Sequence, residues 1–206
     1  RLVPAVRIDH YTLEPEVDAI FREDNPTIEV ADLSETSVSP KLGFVWRFAD
    51  AWSLYGGYAR GFRAPPYNDV NIGFTNFQFG YTAIPNPDLK SETSDGLELG
   101  LRYSGGAAYA SLGTYYTAYD DFIESTRYIG DDPLTGLMVF QSQNIAEARI
   151  RGVEFKGGVY LDALTPALAG WSLRGAAAWS RGEDRTRGEA LASVDPLTAT
   201  LGIGFD

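Results

Sequence analysis

A chain of 206 residues, 44% of them hydrophobic, suits one ordinary domain, and its net charge of −11 argues against a nucleic-acid partner. Its mean hydropathy of −0.17 is that of a water-soluble protein. No stretch approaches the roughly 20 consecutive apolar residues that a transmembrane helix requires, so a helical membrane protein is excluded. Cysteine is absent, which excludes disulfides and thiolate metal sites. A membrane β-barrel stays open, because its strands place lipid-facing residues between polar ones.

The two ends of the sequence both read as strands. Residues 1–9 alternate without an initiator Met or a signal peptide before them, and residues 197–205 alternate up to the end of the chain. We therefore expect the chain to be an internal segment of a longer protein.

Alternation of apolar and polar residues with a period of two is the dominant pattern along the chain, and it predicts antiparallel β-strands. It is clearest at residues 41–48, 52–59, 97–103, 153–161, 171–180 and 197–205. The whole chain reads as about eight such strands, supported by its 12 Tyr, 11 Phe and 22 Gly. One face of each strand carries large apolar and aromatic residues, and the other carries mainly Gly, Ser, Thr and scattered charge. A soluble β-sandwich would show charges on its outer face, so this distribution favours a membrane barrel.

Large aromatic residues are predicted near the strand ends, where membrane barrels carry aromatic girdles. They are Trp46, Trp52, Tyr103, Trp171 and Trp179.

Short and long connections alternate along the chain. The predicted short connections are residues 49–51, 104–106 and 162–170, and the predicted long ones are residues 14–39, 64–91, 130–136 and 181–192. Outer-membrane barrels have short turns at one end and long loops at the other, so the alternation favours such a barrel.

Two motifs enclose the long connection 64–91. Phe62-Arg63-Ala64-Pro65 stands at its start, and Asn86-Pro87-Asp88-Leu89 stands close to its end. This pair resembles the FRAP and NPNL boxes of TonB-dependent haem and haemoglobin receptors, with Asp88 in place of the second Asn. Residues 144–154 (NIAEARIRGVE) are similar to a strand motif common to TonB-dependent receptors in general.

The resemblance implies an antiparallel transmembrane β-barrel of roughly 22 strands in the outer membrane of a Gram-negative cell. Residues 1–206 would be a partial barrel domain of about eight strands, with the plug and the TonB box N-terminal to residue 1. The implied function is TonB-energised uptake of haem from the extracellular side, with no intrinsic cofactor and with haem as the transported ligand. The implied partners are TonB through the N-terminal region, haem or a haem-carrier protein, and outer-membrane lipid.

The connection 64–91 also carries an aromatic set, at Tyr67, Phe74, Phe77, Phe79 and Tyr81. Aromatic rings suit contact with a flat porphyrin, but they equally suit packing of the loop against the barrel rim, and the residues leave both roles open. Prolines near both ends stiffen this connection. The predicted ligand-binding residues are Phe62, Arg63, Ala64, Pro65, Tyr67, Phe74, Phe77, Phe79, Tyr81, Asn86, Pro87, Asp88 and Leu89.

Coordination of haem iron is the least specified part of this prediction. Many haem receptors place a histidine between the two boxes, and this connection has none. Some relatives use tyrosine, so Tyr81 and Tyr67 are the candidate haem-iron ligands, Tyr81 being nearer the middle of the aromatic set. His10, the single histidine, is expected to be a solvated residue at the rim, with contact to haem as the less favoured alternative. Arg63 is expected to pair either with a ligand carboxylate or with Glu92 or Asp95.

No enzymatic motif is present in the sequence, which contains no phosphate loop, zinc-spaced histidine pair or nucleophile elbow. The pair Asp131–Asp132 precedes Pro133 and Gly136 and predicts a turn; Ca²⁺ would need more oxygen ligands. The alternatives are a TonB-dependent receptor for a ferric siderophore or other cargo, a passive porin-type barrel, and a soluble β-sandwich.

Overall fold

The computed structural model describes residues 1–24 and 30–205. Eight of the strands in this part of the chain are long: β1 (Leu2–Leu13), β2 (Leu33–Ala49), β3 (Trp52–Arg63), β6 (Glu92–Ser104), β7 (Ala108–Asp131), β8 (Met138–Tyr160), β9 (Trp171–Asp184) and β11 (Leu197–Phe205). Three are short: β4 (Phe74–Asn76), β5 (Tyr81–Ile84) and β10 (Glu189–Ala190). The helices are α1 (Ala19–Asp24) and α2 (Tyr67–Asn71), with 3-10 turns at Leu161–Ala163 and Pro166–Leu168.

The long strands pair antiparallel with their neighbours in the chain, in the order β1-β2-β3-β6-β7-β8-β9-β11. Among the described residues β1 and β11 do not pair with each other, so the sheet is open. The predicted all-β, antiparallel class with about eight strands is confirmed. No helix in residues 1–24 or 30–205 is both long enough and apolar enough to cross a membrane.

Neighbouring rows of residues across the sheet have opposite chemistry. One row runs through Trp46, Leu54, Leu101, Leu112, Phe155, Ala177 and Ala199. The next row, on the opposite face, runs through Arg47, Ser53, Arg102, Ser111, Lys156, Ala176 and Thr200. Because successive side chains point to opposite faces, the predicted alternation becomes one apolar outer wall and one polar inner wall.

Aromatic residues cluster at the end of the sheet that carries the short connections, which we call the lower end. The ring centroids lie 5.0 Å apart for Trp52 and Tyr103 and 5.1 Å apart for Trp171 and Phe205. This agrees with the expected girdle. Trp179 does not belong to the aromatic residues of the lower end: it lies within β9, near the upper edge of the apolar wall, because that strand continues to Asp184.

The connections at the opposite end, the upper end, differ from the sequence-based prediction in two places. Residues 33–39, assigned to the connection 14–39, belong to β2, and residues 181–184, assigned to the connection 181–192, belong to β9. Residues 25–29 of the first connection lie outside the described residues. Both added stretches continue the hydrogen-bonded ladder above the apolar wall, where the residues on both faces are mostly polar and the alternation disappears.

The buried apolar clusters of the described residues lie at the upper end. Val70, Leu89 and Ile123 form one, with Ala31 and Leu33 packed against it. The other is formed by Ile145, Ala148, Leu191 and the half-buried side chains around them. The upper end is therefore packed as in a water-soluble protein, with its connections folded onto the strand ends.

Candidate functional site

The connection 64–91 is an ordered element that crosses the upper end of the sheet. It was predicted as a long loop, and it contains α2, β4 and β5. β4 and β5 form a hairpin, and β5 pairs in parallel with the start of β8, from Tyr81 opposite Met138 to Ile84 opposite Gln141. The connection thus runs from β3 to β8 and passes β6 and β7, which lie between these two strands in the sheet.

The first box ties the start of this connection to the barrel wall. Arg63 is the cross-strand partner of Glu92, and its guanidinium Nη1 lies 3.7 Å from the Glu92 carboxylate. The same carboxylate accepts a hydrogen bond of 2.9 Å from the backbone N–H of Ile123. Pro65 is fully buried, and its carbonyl accepts a hydrogen bond of 3.5 Å from the Tyr11 hydroxyl. This geometry matches the wall-pairing alternative for Arg63, while about half of its side chain stays exposed.

Helix α2 fixes the segment that follows. Its last residue, Asn71, is fully buried and holds the connection between β1 and β2 through Ala31. The Asn71 carboxamide accepts from the Ala31 N–H at 2.7 Å and donates to the Ala31 carbonyl at 3.3 Å. Val70 beside it is also fully buried.

The second box ties the far end of the connection to β8. The side-chain amide of Asn86 donates to the Ser142 carbonyl at 2.8 Å, and its oxygen accepts from the Asp88 N–H at 3.2 Å. Leu89, at 2% exposure, packs in the cluster with Val70. The structure therefore places the residues of both boxes mainly where they brace the connection.

Two rings of the connection and two rings of the β7–β8 hairpin form a continuous set, here called the aromatic cluster: Phe74, Tyr81, Phe140 and Tyr128. The ring centroid of Tyr81 lies 6.2 Å from that of Phe74 and 6.1 Å from that of Phe140, and Tyr128 lies 5.8 Å beyond Phe140. Offset and edge-on contacts at such distances are favourable. Tyr81 and Phe140 are the two inner rings of this set.

The remaining predicted residues lie around the aromatic cluster at different distances from it. Phe77 and Phe79 stand in the turn of the β4–β5 hairpin, with 77% and 68% of their surface exposed. Tyr67 lies on α2, at the start of the connection, and is 41% exposed. The structure thus brings Phe74 and Tyr81 together and leaves Tyr67 on a separate part of the connection.

Phe140 and Tyr128 complete the aromatic cluster and were missed by the sequence reasoning. They lie on the tall hairpin of β7 and β8, directly opposite each other. They are about 50 to 60 residues from Tyr81 in sequence, and only the parallel β5–β8 pairing brings them beside it. The sequence feature that could have indicated them is the unusual length of the two strands that flank residues 130–136.

His10 lies on the same face of β1 as Val6 and Ile8, and it is the cross-strand partner of Thr36 in β2. Its ring nitrogens are 2.9 Å from the Thr36 hydroxyl and 3.3 Å from the Thr12 hydroxyl. Val6 and Ile8 belong to the outer face of the sheet. His10 is on the same face near the upper end of β1, so it belongs to the polar rim of the outer wall.

The tip of the β7–β8 hairpin is the turn predicted at residues 131–136. Asp132 accepts hydrogen bonds from the Thr135 hydroxyl at 2.5 Å and from the Leu134 N–H at 3.0 Å, and Gly136 has a φ of +69°. These hydrogen bonds hold the pKa of Asp132 below its usual value. In the described part of the chain no three His, Cys, Asp or Glu side chains are grouped to hold a metal ion.

A sequence model of the family described as TonB dependent receptor-like, beta-barrel matches residues 1–206. The chain is 34% identical over 186 residues to the hemoglobin-haptoglobin utilization protein B of Neisseria meningitidis, covering 80% of this chain and 22% of that protein. It is 30% identical over 179 residues to the hemoglobin and hemoglobin-haptoglobin-binding protein B of Haemophilus influenzae, covering 72% and 17%. The chain thus spans about a fifth of the length of these curated relatives.

Among solved structures, the fold is similar to the ferric enterobactin receptor of Pseudomonas aeruginosa, with a TM-score of 0.61 and 20% identity. The match covers 84% of this chain and 26% of that receptor. At this identity the likeness concerns the fold alone.

Proposed function

The chain belongs to the TonB-dependent receptor β-barrel family, and from this premise we propose that the protein takes up haem, free or from a carrier protein, at the upper end of its sheet. The family is one of transport receptors, not of enzymes, and its members are outer-membrane proteins. In this proposal residues 1–206 form part of one barrel domain in the outer membrane of a Gram-negative cell. The upper end is extracellular, as the long loops of such barrels are. TonB acts on a part of the whole receptor other than these residues.

The aromatic cluster is the observation that carries the proposal. Four rings from two separate parts of the chain meet at the upper end of the sheet, and Tyr81 contacts one ring from each part. Within residues 1–24 and 30–205 the Tyr81 hydroxyl makes no hydrogen bond, whereas the Tyr128 hydroxyl donates to Asp131 at 2.9 Å. A phenolate is an established ligand of haem iron, so Tyr81 is the proposed axial ligand, with Tyr67 as the second candidate.

The other predicted residues take different parts in this proposal. Phe77 and Phe79 are exposed at the hairpin turn and suit contact with the ligand or its carrier. Arg63 is half-exposed and is available for a propionate beside its contact with Glu92. Phe62, Ala64, Pro65, Asn86, Pro87, Asp88 and Leu89 are proposed as positioning residues, which hold the connection in place.

A haem titration of the full-length receptor tests the proposal. We expect Tyr81→Phe to change the Soret band and weaken haem binding, and Tyr67→Phe to change them less. Tyr128→Phe is the matched control, since it removes a hydroxyl from the same aromatic cluster but one already bound to Asp131. An unchanged Soret band in the double variant Tyr81→Phe, Tyr67→Phe would contradict the coordination of haem iron by either tyrosine.

A ferric siderophore is the second candidate cargo. It is favoured by the lack of any histidine in the connection 64–91, which withholds the most common haem ligand. Competition between haem and a ferric catecholate siderophore for the same receptor distinguishes the two cargoes. If the cargo is haem, haem should displace the siderophore; if the cargo is a siderophore, haem should not displace it. Loss of uptake in cells treated with a protonophore separates both from a passive porin.

A further inference from the structure

The outer wall of β8 and β9 carries two arginines directly opposite each other. Arg151 and Arg181 are cross-strand partners on the face of the apolar wall, and both are exposed. Tyr116 of β7 is the neighbour of Arg151 on its other side. One row below them stand Val153 and Trp179, so this arginine pair lies at the upper edge of the apolar wall.

Neither arginine of the pair has a carboxylate as its cross-strand partner. Like charges placed directly opposite in a sheet are destabilising. The carboxylate of Glu183, two residues farther along β9 than Arg181, is bound by the guanidinium of Arg149, with N–O distances of 2.6 and 3.1 Å. Across residues 1–24 and 30–205 neither Arg151 nor Arg181 has a salt bridge.

The neighbouring row shows how charge is otherwise arranged on this wall. One step higher, Arg60 stands opposite Asp95, and Arg149 stands opposite Glu183. Two further carboxylates, Asp120 and Glu147, face each other above that row. The two charged pairs are each neutral, so Arg151 and Arg181 are an exception on a wall where arginine is otherwise matched by a carboxylate.

We propose that Arg151 and Arg181 together bind a phosphate group of a phosphorylated glycolipid in the outer leaflet of the membrane. The site lies where the aromatic rings of Tyr116 and Trp179 mark the boundary between hydrocarbon and headgroups. The acyl chains of the bound glycolipid would lie against Val153 and Trp179, below the arginine pair. Guanidinium groups bind phosphate through paired hydrogen bonds, and an anion between the two removes their mutual repulsion. The inference rests on the proposed outer-membrane location and orientation, but not on the cargo.

Lipid binding to the full-length receptor, purified in detergent and freed of lipid, tests this site. The probe is bis-phosphorylated lipid A, with binding measured by native mass spectrometry and by the rise in unfolding temperature. Three comparison ligands distinguish the source of the phosphate: lipid A without its phosphates, phosphatidylglycerol, and inorganic phosphate. We expect tight binding only for the phosphorylated lipid A.

The double variant Arg151→Gln, Arg181→Gln is expected to lose about tenfold or more in affinity for lipid A, since both charged hydrogen-bond donors are removed. The matched control is Arg60→Gln, which removes an arginine of the same wall that already faces Asp95, and which should bind as the wild type does. Equal binding by the double variant and the wild type overturns the proposal, as does binding that is independent of phosphate.

The unfolding temperature of the same variants without lipid tests whether the arginine pair has a structural role instead. Because the substitutions remove a like-charge pair, the double variant should unfold in lipid-free detergent at or above the wild-type temperature. A lower unfolding temperature there overturns the proposal. Haem binding should be the same in all these variants, so a failure of this site and a failure of the proposed cargo give separate readouts.

Discussion

The wall of the sheet and its upper end arrange their apolar residues in opposite ways. In the wall, large side chains such as Leu99 and Leu112 point outward and are about half exposed, while the inner face is lined by small and polar residues. At the upper end, Val70 and Leu89 are almost fully buried, and the connections fold onto the strand ends. The difference shows that one chain is built for two solvents. In the proposed outer-membrane location, lipid surrounds the wall, whereas water surrounds the upper end, which must bury its own apolar residues.

The largest expected effect is at Leu89. Truncation by Leu89→Ala removes buried apolar contacts and leaves a cavity between α2 and β7, which we expect to cost about 3 kcal/mol. Hydrogen exchange in the full-length receptor should show faster opening of residues 64–91. The contrasting variant is Leu99→Ala on the outer wall, where lipid or detergent fills the space and the loss should be much smaller. Equal losses at the two positions would contradict the division into two solvents.

The second effect is at Gly152, on the inner face of the wall. A Cβ at this position would lie 2.6 Å from the Trp179 carbonyl oxygen and 2.6 Å from the Tyr115 hydroxyl, so either the ladder or the tyrosine must shift. Such overpacking costs about 2 kcal/mol, and Gly152→Ala should lower the unfolding temperature of the receptor. Gly43→Ala is the control, since its nearest neighbour would be 3.9 Å from the new Cβ. A wall as tolerant at Gly152 as at Gly43 would show that close packing does not extend to its inner face.

A smaller effect is expected at Asn71. Asn71→Ala leaves the Ala31 N–H and carbonyl without their side-chain partners, at a cost of about 1–2 kcal/mol, because Ala31 is only half-buried and water replaces part of the loss. The expected readout is faster hydrogen exchange at residues 30–33 with an unchanged unfolding temperature of the barrel. Asn76→Ala, on an exposed hairpin, should leave that exchange unaltered.

The smallest effect concerns pH at the hairpin tip. The pKa of Asp132 is lowered in the folded protein by its hydrogen bonds from Thr135 and Leu134, so ionised Asp132 stabilises the turn. That stability is fully present above the ordinary value of 3.8 and is lost as the pH falls through the lower, folded value. Hydrogen exchange at residues 132–137, corrected for its intrinsic pH dependence, should show constant protection from pH 7 to pH 5 and a loss below about 4. Asp132→Ala should show no such pH step.

The strands and their faces were predictable because they depend on local sequence. Side chains alternate with a period of two, so the pattern around Leu97, Leu99 and Leu101 identifies both a strand and its lipid-facing side. The connection 64–91 was located to the residue, between Arg63 and Glu92, because its prolines and glycines interrupt that pattern. The extension of β2 to Leu33 was not predictable, because Ser34, Glu35, Thr36 and Ser37 show no apolar alternation.

The candidate site was predictable only in part. The two boxes and the aromatic residues of the connection are visible in the sequence, but their division of labour is not. That Leu89 is buried, while Phe77 is exposed on a hairpin, follows from how the connection folds onto β7 and β8. Nothing local in the sequence indicates that Phe140 lies beside Tyr81.

By itself, the sequence determined the wall of this protein: the number of long strands, the lipid-facing and inner faces, and the order of short and long connections. These properties depend on side-chain alternation and on turn residues, both of which act over a few positions. Only the tertiary structure decided the aromatic cluster that contains Tyr81 and the facing pair of Arg151 and Arg181. Both arise from register, since pairing places residues about 60 and 30 positions apart side by side, and a shift of one residue would turn every side chain to the other face.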